Sequence, residues 1–148
     1  MGEYVSLGKV EASLKVHPLV DTVCVIGDSS KTYCVALVVP DMAKITELAM
    51  KLELCLGFEE LCGNEIILET VSGMLISHAQ DELQKFEIPR KYALIAKTWT
   101  PDTGLVTAAL KLRRKIIHKE YKEVIELLYN ISTSQNDLDS PGPKIKLA

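Results

Sequence analysis

The residues able to do chemistry gather in one stretch of this 148-residue chain, TPDTGLVTAALKLRRK at positions 100–115. Behind a short apolar arm led by Gly104, Lys111, Arg113, Arg114 and Lys115 fall within a few positions of one another. Such a cluster can face a phosphate, a nucleic acid or only water. The formal net charge is −3, so no general attraction to nucleic acid or anionic lipid is expected, and any anion site has to be a local patch. No aromatic platform accompanies the basic run, which argues against nucleic-acid binding.

Other chemistries find little support. Cys24, Cys34, Cys55 and Cys62 form no CxxC pair, and two of them lie in the apolar runs TVCVIG and YCVALVV, where cysteine acts as a small core hydrophobe. Four free thiols are expected. His17, His78 and His118 are scattered and form no ligand pattern with a cysteine, so no metal site is expected. Glu59 and Glu60 read as a solvated face rather than an acid/base pair. The phosphate cradles GxxxxGK[ST] and GxGxxG, the GxSxG elbow and HExxH are all missing from the sequence. By spacing alone, nothing here completes an active site.

The elements that must position the cluster can be read from periodicity. Ser6 precedes Leu7, Val10 and Leu14 at helical spacing, and Pro18 stops that helix near His17. VDTVCVI (20–26) and YCVALVV (33–39) are apolar, β-branched runs separated by a Gly-Asp-Ser-Ser turn, which predicts a hairpin whose two strands sit centrally in a sheet. Asp41 and Asn64 cap two further helices around a short FEELCG segment, and His78 on the second is read as a satisfied, partly buried histidine. YALIA (92–96) predicts a third strand. A last helix over 111–130 carries Leu112, Ile116, Val124, Ile125 and Leu128 on its inner stripe, while Trp99 and Pro101 pack the base of the arm.

The fold class is therefore α+β, a small domain with a roughly three-stranded sheet packed by helices, over residues 1–130. Residues 131–148 are polar and interrupted by Pro and Gly, the composition of a flexible tail. Composition at 47% hydrophobic suffices for one core, and no apolar run is long enough to span a bilayer, so the piece is expected to be soluble and intracellular.

Three phrases in order, GEYVSLGKVE near the start, FEIPRKYAL at 86–94 and the arm itself, resemble the carboxy-terminal domain of adenylate-forming enzymes, in the long-chain fatty acid CoA ligase branch. The resemblance implies a two-step reaction shared with a large amino-terminal domain: ATP and a fatty acid give acyl-adenylate, and coenzyme A then displaces AMP. It implies Mg2+ accompanying ATP in the complete enzyme, none of these being held by this piece alone, and it places the parent at the endoplasmic reticulum or outer mitochondrial membrane. The motif lysine falls at Lys111, from the pattern Lys111-Leu112-Arg113-Arg114. A lysine ammonium there can lie between carboxylate and phosphate and offset their repulsion.

The same resemblance implies that residues 2–11 line the passage for coenzyme A, with Gly2, Tyr4 and Lys9 as candidates. Arg113 and Arg114 are candidates to face phosphate, although a solvent-facing or interdomain surface is the preferred reading of both and of Lys115. Many relatives carry Ser-Gly or Thr-Gly directly before the lysine, where this chain has Ala109-Leu110. Met1 stands just before the motif glycine, about where a hinge is expected, which suggests an excised domain or fragmentary product. The alternative reading is a non-catalytic module that binds coenzyme A or another protein.

Overall fold

A computed structural model describes residues 4–130 and the backbone of Lys146–Leu147. Gly2 and residues 131–145 lie outside the described residues. The chain opens with a two-residue strand β1 (Tyr4–Val5) and helix α1 (Leu7–Lys15), followed by the hairpin β2 (Val20–Ile26) and β3 (Val35–Pro40). Helices α2 (Met42–Lys51), α3 (Phe58–Cys62) and α4 (Glu65–Gln80) then lead to β4 (Lys91–Leu94). The arm and helices α5 (Arg114–Glu120) and α6 (Lys122–Asn130) follow, and β5 (Lys146–Leu147) pairs in parallel with β1. That short strand lies in the segment read from sequence as a structureless tail.

Side-chain caps fix the helix starts where the sequence places them. Ser6, Asp41 and Asn64 accept from the backbone N–H of Lys9, Lys44 and Ile67, at 3.4, 3.0 and 3.1 Å. The main sheet has the order β2-β3-β4, with β2 antiparallel and β4 parallel to β3. The parallel step needs a long crossover, and α2, α3 and α4 supply it. Only β3 is central. β2, expected in the middle, is an edge strand with Asp21 exposed on it, because the sheet grows from β3 toward β4 and not past β2.

Alternation along the strands divides the core in two. Val23, Val25, Ala36 and Val38 face a cluster that includes Leu14, Ile45, Ile67 and Leu75 of helices α1, α2 and α4. Cys24, Ile26, Leu37 and Val39 face the opposite layer, with Trp99, Leu105 and Val106 from the arm, Ile117 from α5 and Leu128 from α6. The helices therefore cover both faces of the sheet, which is why β3 is apolar at every position. His78 bonds through Nε2 to the Ser13 carbonyl at 2.8 Å, tying α4 to α1. No helix among the described residues is long and apolar enough to cross a membrane.

The final helix departs from expectation at two places. It starts at Arg114 rather than Lys111, because the backbone groups of the preceding residues are used in the arm. It is also interrupted at Tyr121, whose backbone leaves helical values (φ −108°, ψ 24°). There the Tyr121 hydroxyl accepts from the Trp99 indole N–H at 3.0 Å. Ile117, absent from the predicted stripe, is fully buried, whereas Leu112, Ile116, Val124 and Ile125 pack only partly against the same layer.

Candidate functional site

The arm is built from two turns. Pro101–Thr103 forms a single 3-10 turn, closed by Gly104 at φ 78°, a left-handed backbone that glycine adopts without steric cost. The chain then dives, burying Leu105 and Val106 against the sheet. Val106 bridges antiparallel to Leu112, and between them the chain turns back. Leu110 N–H donates to the Thr107 carbonyl at 2.8 Å, Thr107 N–H to the Lys111 carbonyl at 2.8 Å, and Lys111 N–H to Thr107 Oγ1 at 3.1 Å. Leu110 closes this turn at φ 62°, a left-handed backbone that glycine would adopt without steric cost. Lys111 is thereby held on the exposed side of a closed turn, and among the described residues its ammonium has no hydrogen-bond or ion-pair partner.

Within the cluster Arg113 and Lys115 are exposed like Lys111, and Arg114 is the exception. Arg113, also exposed, donates its backbone N–H to the Leu105 carbonyl at 2.9 Å and precedes α5 as its cap residue. Arg114 is engaged: one guanidinium nitrogen lies 3.0 Å from Glu11 Oε2, the other bonds Glu11 Oε1, and the first also reaches the Val25 carbonyl at 3.4 Å. Glu11 Oε2 accepts in addition from Val25 N–H at 2.8 Å. Burial works to lower the Arg114 pKa, but the hydrogen bonds and charge of Glu11 outweigh it and the pKa rises. Lys9, a candidate for the coenzyme A passage, turns its ammonium onto the buried Glu87 at 3.1 Å. Tyr4 is largely exposed, and Gly2 is outside the described residues.

α1 and the arm thus lie side by side. Between them runs an open groove of about 330 Å³, with Gly8, Lys15 and Thr22 on one wall and Leu110 and Lys111 on the other. The structure brings Lys111 near the helix that carries Lys9 and Glu11, although the two motifs are about a hundred residues apart in sequence. Glu11 and Glu87 are the residues that sequence reasoning missed as partners. Each is an isolated acid in an apolar neighbourhood, and no spacing rule links them to Arg114 and Lys9.

Cys24 and Cys34 sit in the core as small hydrophobes. Burial pushes the Cys24 thiol up to about 12, reinforced by Glu11, and burial alone pushes Cys34 up to about 11. All four cysteines are free. Among the described residues no three His, Cys, Asp or Glu side chains gather into a group that could hold a metal ion.

No family model matches the chain. Individual relatives do. The chain is 42% identical over 130 residues to long chain acyl-CoA synthetase 8 of Arabidopsis thaliana, which covers 86% of this chain and 18% of that protein. It is 31% identical over 138 residues to long-chain-fatty-acid–CoA ligase 1 of Saccharomyces cerevisiae, covering 88% and 20%. In fold it matches the A-PCP didomain of the carboxylic acid reductase of Segniliparus rugosus, solved in complex with AMP, with a TM-score of 0.67 and 30% identity over 83% of this chain and 16% of that one. Sequence and fold together make the chain a homologue of the long-chain acyl-CoA synthetases, among the adenylate-forming enzymes, spanning about a fifth of the length of the relatives it matches.

Proposed function

We propose that this chain is the mobile carboxy-terminal lobe of a long-chain fatty acid CoA ligase and that Lys111 is its adenylation residue. The observation that carries the reading is the place of Lys111 on the closed turn of the arm, at the tip side of the cluster it shares with the exposed Arg113 and Lys115. Lys9 and Arg114 are neutralised within the domain, whereas Lys111 stands exposed on a hydrogen-bonded turn with its ammonium unpartnered among the described residues. An unpaired lysine on an ordered turn suits a charge presented to groups held elsewhere.

Attack of a fatty acid carboxylate on the α-phosphate of ATP brings two anions together, and an ammonium between them lowers the barrier as charge redistributes. The ammonium forms no covalent bond. Arg113 adds positive potential at the rim, and the Glu11 carboxylate takes Arg114 out of that role. AMP is bound in the Segniliparus rugosus didomain; in the second step proposed for this family, the coenzyme A thiol attacks the acyl carbon of the acyl-adenylate and AMP leaves. For that step Tyr4 and Gly2 are the candidates to line the passage, with Lys9 acting through its tie to Glu87. ATP, fatty acid and coenzyme A are otherwise held by a large amino-terminal domain, and the chain by itself is inactive.

Mixing the chain with a separately expressed large domain of a long-chain acyl-CoA synthetase should restore ATP-dependent acyl-adenylate formation from palmitate. Lys111→Ala should lower that rate at least 100-fold, as loss of a preorganised charge at a phosphoryl centre does. Thioester formation from supplied acyl-adenylate should change far less. Equal loss in both half-reactions, or no restoration with both parts folded, would overturn the proposal.

A further inference from the structure

We infer that Glu11 is a positioning residue, one that fixes the root of the Lys111 arm to helix α1 through Arg114; its catalytic consequence rests on the role proposed for Lys111. Three elements meet at its carboxylate. Glu11 projects from α1, takes the outward N–H of Val25 on the edge strand β2, and holds both terminal nitrogens of Arg114, the first residue of α5. Arg114 in turn reaches the Val25 carbonyl, so the outward donor and acceptor of one edge residue are both taken by the ion pair. The Glu11 side chain is 12% exposed, and a carboxylate removed from water to that degree persists only when its oxygens are matched.

The tie leads directly into the arm. Arg113, next to Arg114, bonds Leu105 through its backbone, and Leu112 bridges Val106 on the other side of the turn. Lys111 sits three residues before the anchored guanidinium. The buried side chains Leu105 and Val106 hold the first leg of the arm to the sheet, and the partly buried Leu112 packs the second against the same layer, but neither contact fixes the turn's position along α1. Glu11 does that. It also belongs to the GEYVSLGKVE phrase, so the segment proposed for the thioester step and the lysine proposed for the adenylation step are fastened into one body.

Glu11→Gln is the selective variant. A carboxamide oxygen still caps Val25 N–H, but the charge holding Arg114 is gone. By NMR hydrogen exchange on the chain alone, the amides of Thr107, Lys111 and Arg113 should exchange at least tenfold faster in Glu11→Gln and in Arg114→Ala, while Val71 and Leu75 in α4 keep their protection. Arg114→Lys, which keeps the charge, should recover part of the arm's protection. Unchanged arm amides would overturn the inference. So would equal acceleration in α4, which marks a merely structural role, or no recovery with Arg114→Lys. In the mixture with a large domain, Glu11→Gln should lower kcat for adenylation about tenfold without moving KM for ATP. If the wild-type mixture makes no adenylate, the role of Lys111 falls, while the exchange measurements still decide the positioning of the arm.

Discussion

Replacing Leu110 tests the turn that carries Lys111. A side chain at φ 62° crowds its Cβ against the following carbonyl, at a cost of roughly 1–2 kcal/mol that glycine escapes. Glycine brings its own losses. Its freer unfolded chain costs about 0.5–1 kcal/mol. The burial lost is small, because Leu110 is 62% exposed; with full burial of a leucine worth about 1.5–3 kcal/mol, roughly a third of that amounts to 0.5–1 kcal/mol. The opposing contributions nearly cancel, so Leu110→Gly should leave stability within about 0.5 kcal/mol of wild type. Leu110→Val should be worse by about 1 kcal/mol, since a β-branched side chain tolerates the left-handed region poorly. Urea denaturation followed by circular dichroism measures both, with unchanged m confirming that midpoints report stability. A valine variant as stable as wild type, together with a glycine variant weakened by more than about 1.5 kcal/mol, would refute a left-handed residue 110.

Two other predictions concern groups away from the arm. Tyr92 is buried and its hydroxyl has no hydrogen-bond partner among the described residues, so Tyr92→Phe should stabilise the chain by about 1 kcal/mol; a loss of stability in thermal melts would mean that the hydroxyl is satisfied. His17 has a pKa below 6.5, first because burial disfavours its charge and then because His78 lies against it. Folding weakens its hold on a proton, so its contribution is full above the unfolded value of 6.5 and declines as pH falls through the lower folded value. Melting temperature should accordingly drop between about pH 7.5 and 5.5. His17→Asn keeps an acceptor for the Leu19 N–H now bound to Nδ1 at 3.1 Å, and should flatten that slope. An unaltered slope would count against His17.

Local rules carried much of the fold. Each of the three capping residues sits where a polar acceptor precedes an apolar-faced helix, a relation confined to four residues and visible without tertiary information. The apolar runs became strands for the same reason. What escaped is non-local. Hydropathy marks β2 and β3 alike, and only the pairing of β3 with β4 makes β2 an edge. The break at Tyr121 was hidden because Ile117 and Leu128, on either side of it, each still point inward as a continuous helix would demand. The motif neighbours of Lys111 drew attention to the turn on which it stands exposed. Glu11 as the partner of Arg114 was not legible, since 103 residues separate them and an ion pair leaves no periodic trace.

Trp99 gives the domain a built-in optical probe. It is the one tryptophan of the chain, is 4% exposed, and packs at 5.7 Å from the Tyr121 ring at the α5–α6 junction, behind the arm. Its emission therefore reports on the layer that carries Lys111 and is nearly blind to the helices on the opposite face of the sheet. A red shift that precedes loss of helical signal would time the loosening of that layer separately from global unfolding. A quench on mixing with a large domain would follow docking without any attached dye.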